Sequence, residues 1–234
     1  MQFLDLGMYD NNGLMPQSET DDALTRKWIA FAREYKPEHQ IIATVNGNLD
    51  AHLRHSGEMR QAMADEAARL VQEYGFDGVQ VDIEPFRANS NDLLVDYLEK
   101  LRDAVGPDVH ISIATTVLEQ YLPHDALVEI ANIVDMINPM LYDTNGPGEN
   151  EVDTEEEFVQ IWKDTVLRYD AAIKDSNNTD VQLAPTMPAY DAKSYPASPG
   201  WPDPESGKFF YHLPEIENIK NAAEGLRQAI EAGA

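Results

Sequence analysis

The sequence predicts an α/β fold of parallel strands alternating with helices, and three observations predict it. Short β-branched and aliphatic runs alternate with longer segments of helical periodicity along the chain. No hairpin signal stands between successive strand-like runs, so each strand returns by a crossover and pairs in parallel with its neighbour. Two of the runs, FDGVQVDIEP and VDMINPMLYD, carry polar residues on alternate positions toward their downstream ends, where α/β sheets place their sites. About six strands are legible, which leaves an open doubly wound sheet or a (β/α)8 TIM-barrel type. No Gly-x-Gly-x-x-Gly turn follows the first strand, and a dinucleotide fold loses weight accordingly.

The elements follow in order. FLDLGMY (3–9) reads as a strand, and DNNG after it as a turn. Leu24, Trp28, Phe31 and Tyr35 fall on one helical face, ended by Pro37. QIIATVNG (40–47) is the next strand. Met59, Met63, Ala67, Leu70 and Tyr74 form a helical stripe closed by Gly75, and DGVQVDIE (77–84) follows as a strand. Leu94, Leu98, Leu101 and Val105 make a helix stopped by Gly106-Pro107. VHISIATT (109–116) is a strand, 124–132 a short helix and VDMINPMLYD (134–143) a strand. Thr154 and Glu157 have capping-box spacing and open a helix through Phe158, Trp162, Thr165, Tyr169 and Ile173. VQLAPTMP (181–188) is a strand. Pro214 opens a last helix with Ile216, Ile219, Ala223, Leu226 and Ile230 inside. The segment Asp191 to Gly207, with four prolines, is longer than a plain connection needs and suits a site loop. No low-complexity linker divides the chain, so residues 1–234 read as a single domain.

Composition bounds the chemistry. With 234 residues and 43% hydrophobic content a sizeable core can form. Seventeen basic residues against 42 acidic ones give a formal charge of -25, the wrong sign for nucleic acid or an anionic membrane surface. Such acidity suits a heavily hydrated surface, whether for saline conditions or for solubility. There is no cysteine, which removes disulfides and thiolate chemistry. No apolar run reaches the roughly 18 residues of a membrane helix. Met1 leads straight into a strand-like run, with no signal peptide visible.

The strand at 77–84 holds the central anomaly. Val79, Val81 and Ile83 share one side; Gly78, Gln80, Asp82 and Glu84 share the other. In a barrel the apolar side packs under helices and the polar side points into the lumen, where branched aliphatics usually sit. Burying a carboxylate costs several kcal/mol, roughly, unless it is paired or protonated, so folding alone does not select this face. On the later strand Met136, Asn138, Met140 and Tyr142 share a face, with Asp143 just beyond. Hydroxyl, amide and thioether groups converging with acids make a polar pocket with an apolar floor, which suits a sugar.

These residues carry a resemblance. Asp77-Gly78-Val79-Gln80-Val81-Asp82-Ile83-Glu84 resembles the D-x-x-D-x-D-x-E signature of family 18 glycoside hydrolases, the chitinases and their relatives. Asn138-Pro139-Met140-Leu141-Tyr142-Asp143 resembles the family's N-x-M-x-Y-D run, with one βα unit between the two motifs as in the family. Thr44-Val45-Asn46-Gly47 and Pro188-Ala189-Tyr190 are weaker echoes of its Ser-x-Gly-Gly and P-x-Y strand ends. The resemblance implies that Glu84 is the general acid, that Asp82 holds the substrate's acetamido group, whose carbonyl is the nucleophile, and that Tyr142 braces that group. It implies a binding pocket of Gln80, Asp77, Asn138, Met140, Asp143 and Tyr190, and no metal or organic cofactor; Trp201, in the proline-rich loop, is a candidate to stack on the sugar. A neighbouring carboxylate and a dry barrel mouth would both raise the pKa of Glu84, as a general acid requires.

The sequence also departs from the family pattern. Gln80 replaces the second Asp, and a neutral amide can hydrogen-bond Asp82 but neither repel it nor take its proton. Ile83 stands where an aromatic is common. Strands matching the family's first and last are not found, nor the last-strand tryptophan; the chain reads as a fragment, an open barrel, or one completed by another chain. A non-catalytic carbohydrate-binding relative, or a hydrolase of peptidoglycan or N-glycans, stays open beside a chitin-type hydrolase. An extracellular or cell-envelope location is implied by the resemblance alone. Structural readings stand beside the functional ones: Asp82 and Glu84 as an ion-pair face, Met140 as core filler, Tyr142 as a satisfied buried tyrosine, and Trp201 as a pin for its loop. His52 and His55 read as a solvated helix entry, and DSNNTD (175–180) as a polar turn.

Overall fold

The computed structural model describes residues 2–10, 13–14, 19–48, 53–54, 56–84, 88–142, 152, 154–178, 180–187 and 213–234. In chain order they form β1 (Gln2–Asp10), β2 (Gly13–Leu14), α1 (Glu19–Tyr35), β3 (Ile41–Asn48), α2 (Gly57–Tyr74), β4 (Gly78–Glu84), a 3-10 turn (Ala88–Ser90), α3 (Asn91–Val105), β5 (His110–Thr115), α4 (His124–Ala131), β6 (Met136–Pro139), α5 (Glu155–Asp175), β7 (Gln182–Leu183) and α6 (Ile219–Ala232). The sheet order is β2-β1-β3-β4-β5-β6-β7. β1 and β3 through β7 pair in parallel, six strands of a TIM-barrel-type α/β sheet. Among the described residues no pairing joins β1 to β7.

The hairpin expectation is corrected at the start of the chain. Gly13 and Leu14 return antiparallel on β1, opposite Asp10 and Tyr9. A two-residue strand offers no alternation to read in sequence. The two late strands are also shorter than expected: β6 ends at Pro139, with Met140 bridged to Thr186, and β7 has two residues.

The register stacks the lumen-facing positions in layers. Thr44, Gln80, Ser112, Met136 and Gln182 lie level across β3 to β7. One residue pair higher, Asn46 lies level with Asp82, and Ala114 with Asn138. The opposite faces form the core. Val79 and Val81 are 0% exposed and Ile83 is 1% exposed, packed under the helices with Ile111, Ile113 and Ile137. At the foot of the barrel Gly78 has no room for a side chain: a Cβ there would lie 2.3 Å from the His110 carbonyl oxygen.

Helices α2, α3 and α5 bury the stripes read from sequence: Met63, Ala67 and Leu70; Leu94, Leu98 and Leu101; Phe158, Trp162, Thr165 and Tyr169. The capping box of α5 is present, with Glu157 N donating to Thr154 Oγ1 and Thr154 N to Glu157 Oε2. The first and last helices depart. On α1 the buried positions are Thr25, Ile29 and Ala32, whereas Leu24, Phe31 and Tyr35 are exposed and the two rings stack on each other at 5.7 Å. On α6 the buried positions are Asn221, Ala222, Gly225 and Ala229, whereas Ile219, Ala223 and Ile230 are exposed. That helix starts at Ile219 under an Asn218 cap rather than at Pro214. Small residues dock because the approach is close: a Cβ on Gly225 would lie 2.4 Å from Trp162 Cβ. A second apolar cluster, with Leu141, Val152, Phe158, Trp162 and Val166, joins α5 and α6 to the upper end of β6.

Candidate active site

Strand β4 places its three polar side chains at three depths. Gln80 is buried, Asp82 is half-buried and Glu84 is exposed at the upper end. The gradient follows from the strand alone, since side chains two apart share a face and rise together out of the barrel. Glu84 is therefore exposed at the upper end of the strand.

Two strands over, β6 alternates as expected. Ile137 and Pro139 are buried outward, while Met136, Asn138 and Met140 are half-buried toward the lumen. One strand, β5, separates β6 from β4, so the two polar faces stand two interstrand spacings apart, roughly 10 Å, the width of a sugar ring with its substituents. Asn138 Nδ2 donates to the Ala184 carbonyl at 3.1 Å, and its buried Oδ1 has no hydrogen-bond partner among the described residues. Met140 packs at the edge of the main core, which fits both its filler and its pocket-floor reading. Tyr142 follows, half-buried. Its position is set from behind: Trp162, fully buried on α5, donates its indole N–H to the Leu141 carbonyl at 3.2 Å. The same helix braces the loop after β5, with Tyr169 Oη donating to the Thr116 carbonyl at 2.6 Å and Arg168 donating to the carbonyls of Val117 and Leu122. Burial pushes the Tyr169 hydroxyl up to about 12.

Asp77 requires a correction. It precedes Gly78 at the lower end of β4, the end opposite Glu84. Its Oδ2 accepts from the Ile41 backbone N–H at 2.7 Å and pairs with Arg33 at 2.8 Å. It ties the start of β4 to β3 and to α1, and it is not part of the candidate site. The same device recurs at β6: Asp135 Oδ2 accepts from Ile111 N at 2.7 Å and pairs with Arg102 of α3 at 2.7 Å. Sequence reading missed this second clamp, although its signal was present in an Asp one residue before each of these two strands and an Arg in the helix three elements earlier. It also missed Ser112, whose hydroxyl donates to Gln80 Oε1. The inward positions of VHISIATT are His110, Ser112 and Ala114, a small and polar set that alternation could have shown.

Asp143, Tyr190 and Trp201 lie outside the described residues, as do His52, His55, Pro188 and the 191–207 loop. In the expected polar turn, among the described residues, Ser176 Oγ donates to the Ile173 carbonyl, and Asn178 Nδ2 donates to the carbonyls of Ala131 and Val134.

Known proteins were compared with this chain. A chitinase from Enterococcus faecalis is 26% identical over 172 residues, covering 69% of this chain and 44% of its own length. The chitinase domain of the spore coat protein CotE from Clostridium difficile superposes with a TM-score of 0.55 at 16% identity, covering 81% of this chain and 65% of that one. Human YKL-39, a pseudo-chitinase with retained chitooligosaccharide binding properties, gives a TM-score of 0.51 at 16% identity, covering 62% of this chain and 44% of that one. The chain thus spans less than half the length of its curated relative, and at these identities the solved structures speak for the fold alone. Residues 2–191 match the glycosyl hydrolases family 18, and with the barrel-type sheet and the β4 and β6 motifs in place the chain belongs to that family.

Proposed function

We propose that this chain cleaves β-linked N-acetylglucosamine glycans of the chitin type, with the substrate's own acetamido group as nucleophile. Glu84 gives its proton to the glycosidic oxygen as the bond to C1 breaks. The acetamido carbonyl oxygen closes on C1, and Asp82 accepts the acetamido N–H and stabilises the positive charge formed there. Glu84, now a carboxylate, takes a proton from water as that water opens the ring, and the anomeric configuration is retained. Tyr142 braces the acetamido oxygen. Asn138, Met140 and Asp143 line its pocket, and Tyr190 and Trp201 offer faces to the sugar. No metal or organic cofactor takes part in this scheme.

The observation that supports it best is the face of β4. Gln80, Asp82 and Glu84 rise along the lumen face opposite Asn138 and Met140, where a barrel of this type ordinarily packs branched aliphatics. Glu84→Gln keeps the shape of the side chain and removes the acid. Reducing-end release from a chitin oligosaccharide should fall by about 10²–10⁴-fold, with the thermal midpoint unchanged. Near-parental turnover would remove Glu84 from the acid role.

One observation favours a second reading. Gln80 stands in place of a family carboxylate, and a relative in fold binds chitooligosaccharides as a pseudo-chitinase. On that reading the chain binds the oligosaccharide in calorimetry and releases no reducing ends.

A further inference from the structure

The middle of the lumen holds a bond that the reaction scheme leaves unused. Ser112 on β5 is 0% exposed and Gln80 on β4 is 7% exposed. They are register partners on adjacent parallel strands, and the Ser112 hydroxyl donates to Gln80 Oε1. A primary amide has two chemically opposite ends, an acceptor oxygen and a donor NH2. In water the two exchange freely by rotation. In a buried site a single donor on the oxygen selects one orientation, because the alternative leaves that oxygen unsatisfied at about 1–3 kcal/mol.

The orientation matters because of what lies above. Asp82 is two residues along the same strand on the same face. An amide NH2 turned toward a carboxylate is a charge-assisted donor; an amide oxygen turned the same way repels it. Ser112 holds the oxygen on the β5 side, so the NH2 is the end of the amide left to serve Asp82.

We propose that Ser112 is a positioning residue: it fixes the Gln80 amide so that its NH2 holds the Asp82 carboxylate in place for the substrate's acetamido group. The inference rests on the hydrolase reading for its effect on turnover, and on geometry alone for the state of the amide. A neutral Ser–Gln pair thereby does the orienting work at this level of the barrel, without a proton shared between acids.

The test uses the full chain with Ser112→Ala, Gln80→Ala, the double variant and Ser112→Thr, which keeps a hydroxyl. Turnover of a chitin oligosaccharide should fall about tenfold in Ser112→Ala, the scale of one hydrogen bond, with KM within about twofold. The double variant should be no slower than Gln80→Ala, because Ser112 acts only through the amide. Ser112→Thr should recover most of the loss, and thermal midpoints report any general damage. Losses that multiply in the double variant, or a Ser112→Ala loss seen only in the midpoint, overturn the proposal. A second readout needs no activity: the Gln80 side-chain amide signals in 15N spectra should exchange slowly in the parent and rapidly in Ser112→Ala, and unchanged signals overturn it. Should the parent bind the oligosaccharide but not cleave it, the hydrolase reading fails by itself. The same four-variant comparison on Kd then decides the proposal: non-additive losses support it and additive ones overturn it.

Discussion

At its lower end β4 is entered through Asp77, and at its upper end it leaves through Asp82 and Glu84. The lower carboxylate accepts a backbone N–H from Ile41 and pairs with Arg33, 31% and 36% exposed as side chains. The upper two rise along the lumen face toward solvent. The same residue class on one strand thus does two jobs, and the difference lies in what each carboxylate touches. Asp77 satisfies a donor at the start of a buried strand, so it belongs to folding. Asp82 and Glu84 stand at the upper end of the lumen face, where the proposed reaction gives them to a ligand. β6 repeats the arrangement, with the Asp135–Arg102 clamp below and Asn138, Met140 and Tyr142 above. The clamps sit on the two strands that carry the candidate site. They pin the register from below, and register decides which side chains face the lumen, since a one-residue slip would turn every polar side chain outward.

Breaking each end should give opposite results. Glu84→Gln should cost turnover by the powers of ten given above and leave stability untouched. Asp77→Ala should cost about 2 kcal/mol in denaturant unfolding, chiefly because it strands the buried Ile41 N–H, while an exposed ion pair adds little. Asp77→Asn keeps an acceptor for that N–H and should cost roughly half as much. In both Asp77 variants kcat of the folded fraction should stay near the parental value. A large kcat loss in Asp77→Asn at full folding would erase the contrast between the two ends.

Tyr169 sharpens the account of what holds the upper end. An unfolded tyrosine ionises near 10.0, and burial raises this one to about 12. Below pH 10 both states keep the proton. Between about 10 and 12 the unfolded chain loses it first, so this contribution to stability is present below that window and fades as pH rises through it. Tyr169→Phe should cost about 1 kcal/mol at neutral pH and flatten part of the alkaline decline in thermal midpoint. A decline of unchanged steepness would take Tyr169 out of that role. The smallest effect is expected at the edge of the fold. Phe31→Ser on the exposed face of α1 should change stability by no more than about 0.5 kcal/mol; a larger loss would mean that this face packs against something.

These contrasts also show what was legible in the sequence. The lumen faces of β4 and β6 were readable because period-2 alternation is a property of the chain itself, and Val79, Val81 and Ile83 lie buried as that alternation requires. The family signature added the roles. It also led to Asp77 being assigned to the site, because a linear motif does not distinguish the two ends of a strand. Apolar stripes failed on α1 and α6 for another reason. α1 docks through Thr25, Ile29 and Ala32 and leaves Leu24, Phe31 and Tyr35 outside, and α6 docks through Ala222, Gly225 and Ala229, where the close approach to Trp162 favours small side chains and Ile219 and Ile230 stand outside. Ser112 and Asp135 left signals in the sequence, but their partners Gln80 and Ile111 needed register, which no single strand carries.

The most direct test of the division within β4 is a titration of the 13C-carboxyl-labelled chain with an N-acetylglucosamine pentamer, followed by NMR. The account predicts that the Asp82 and Glu84 carboxyl signals move with saturating sugar while those of Asp77 and Asp135 stay fixed. Movement of Asp77 and Asp135 with Asp82 and Glu84 unmoved would contradict it.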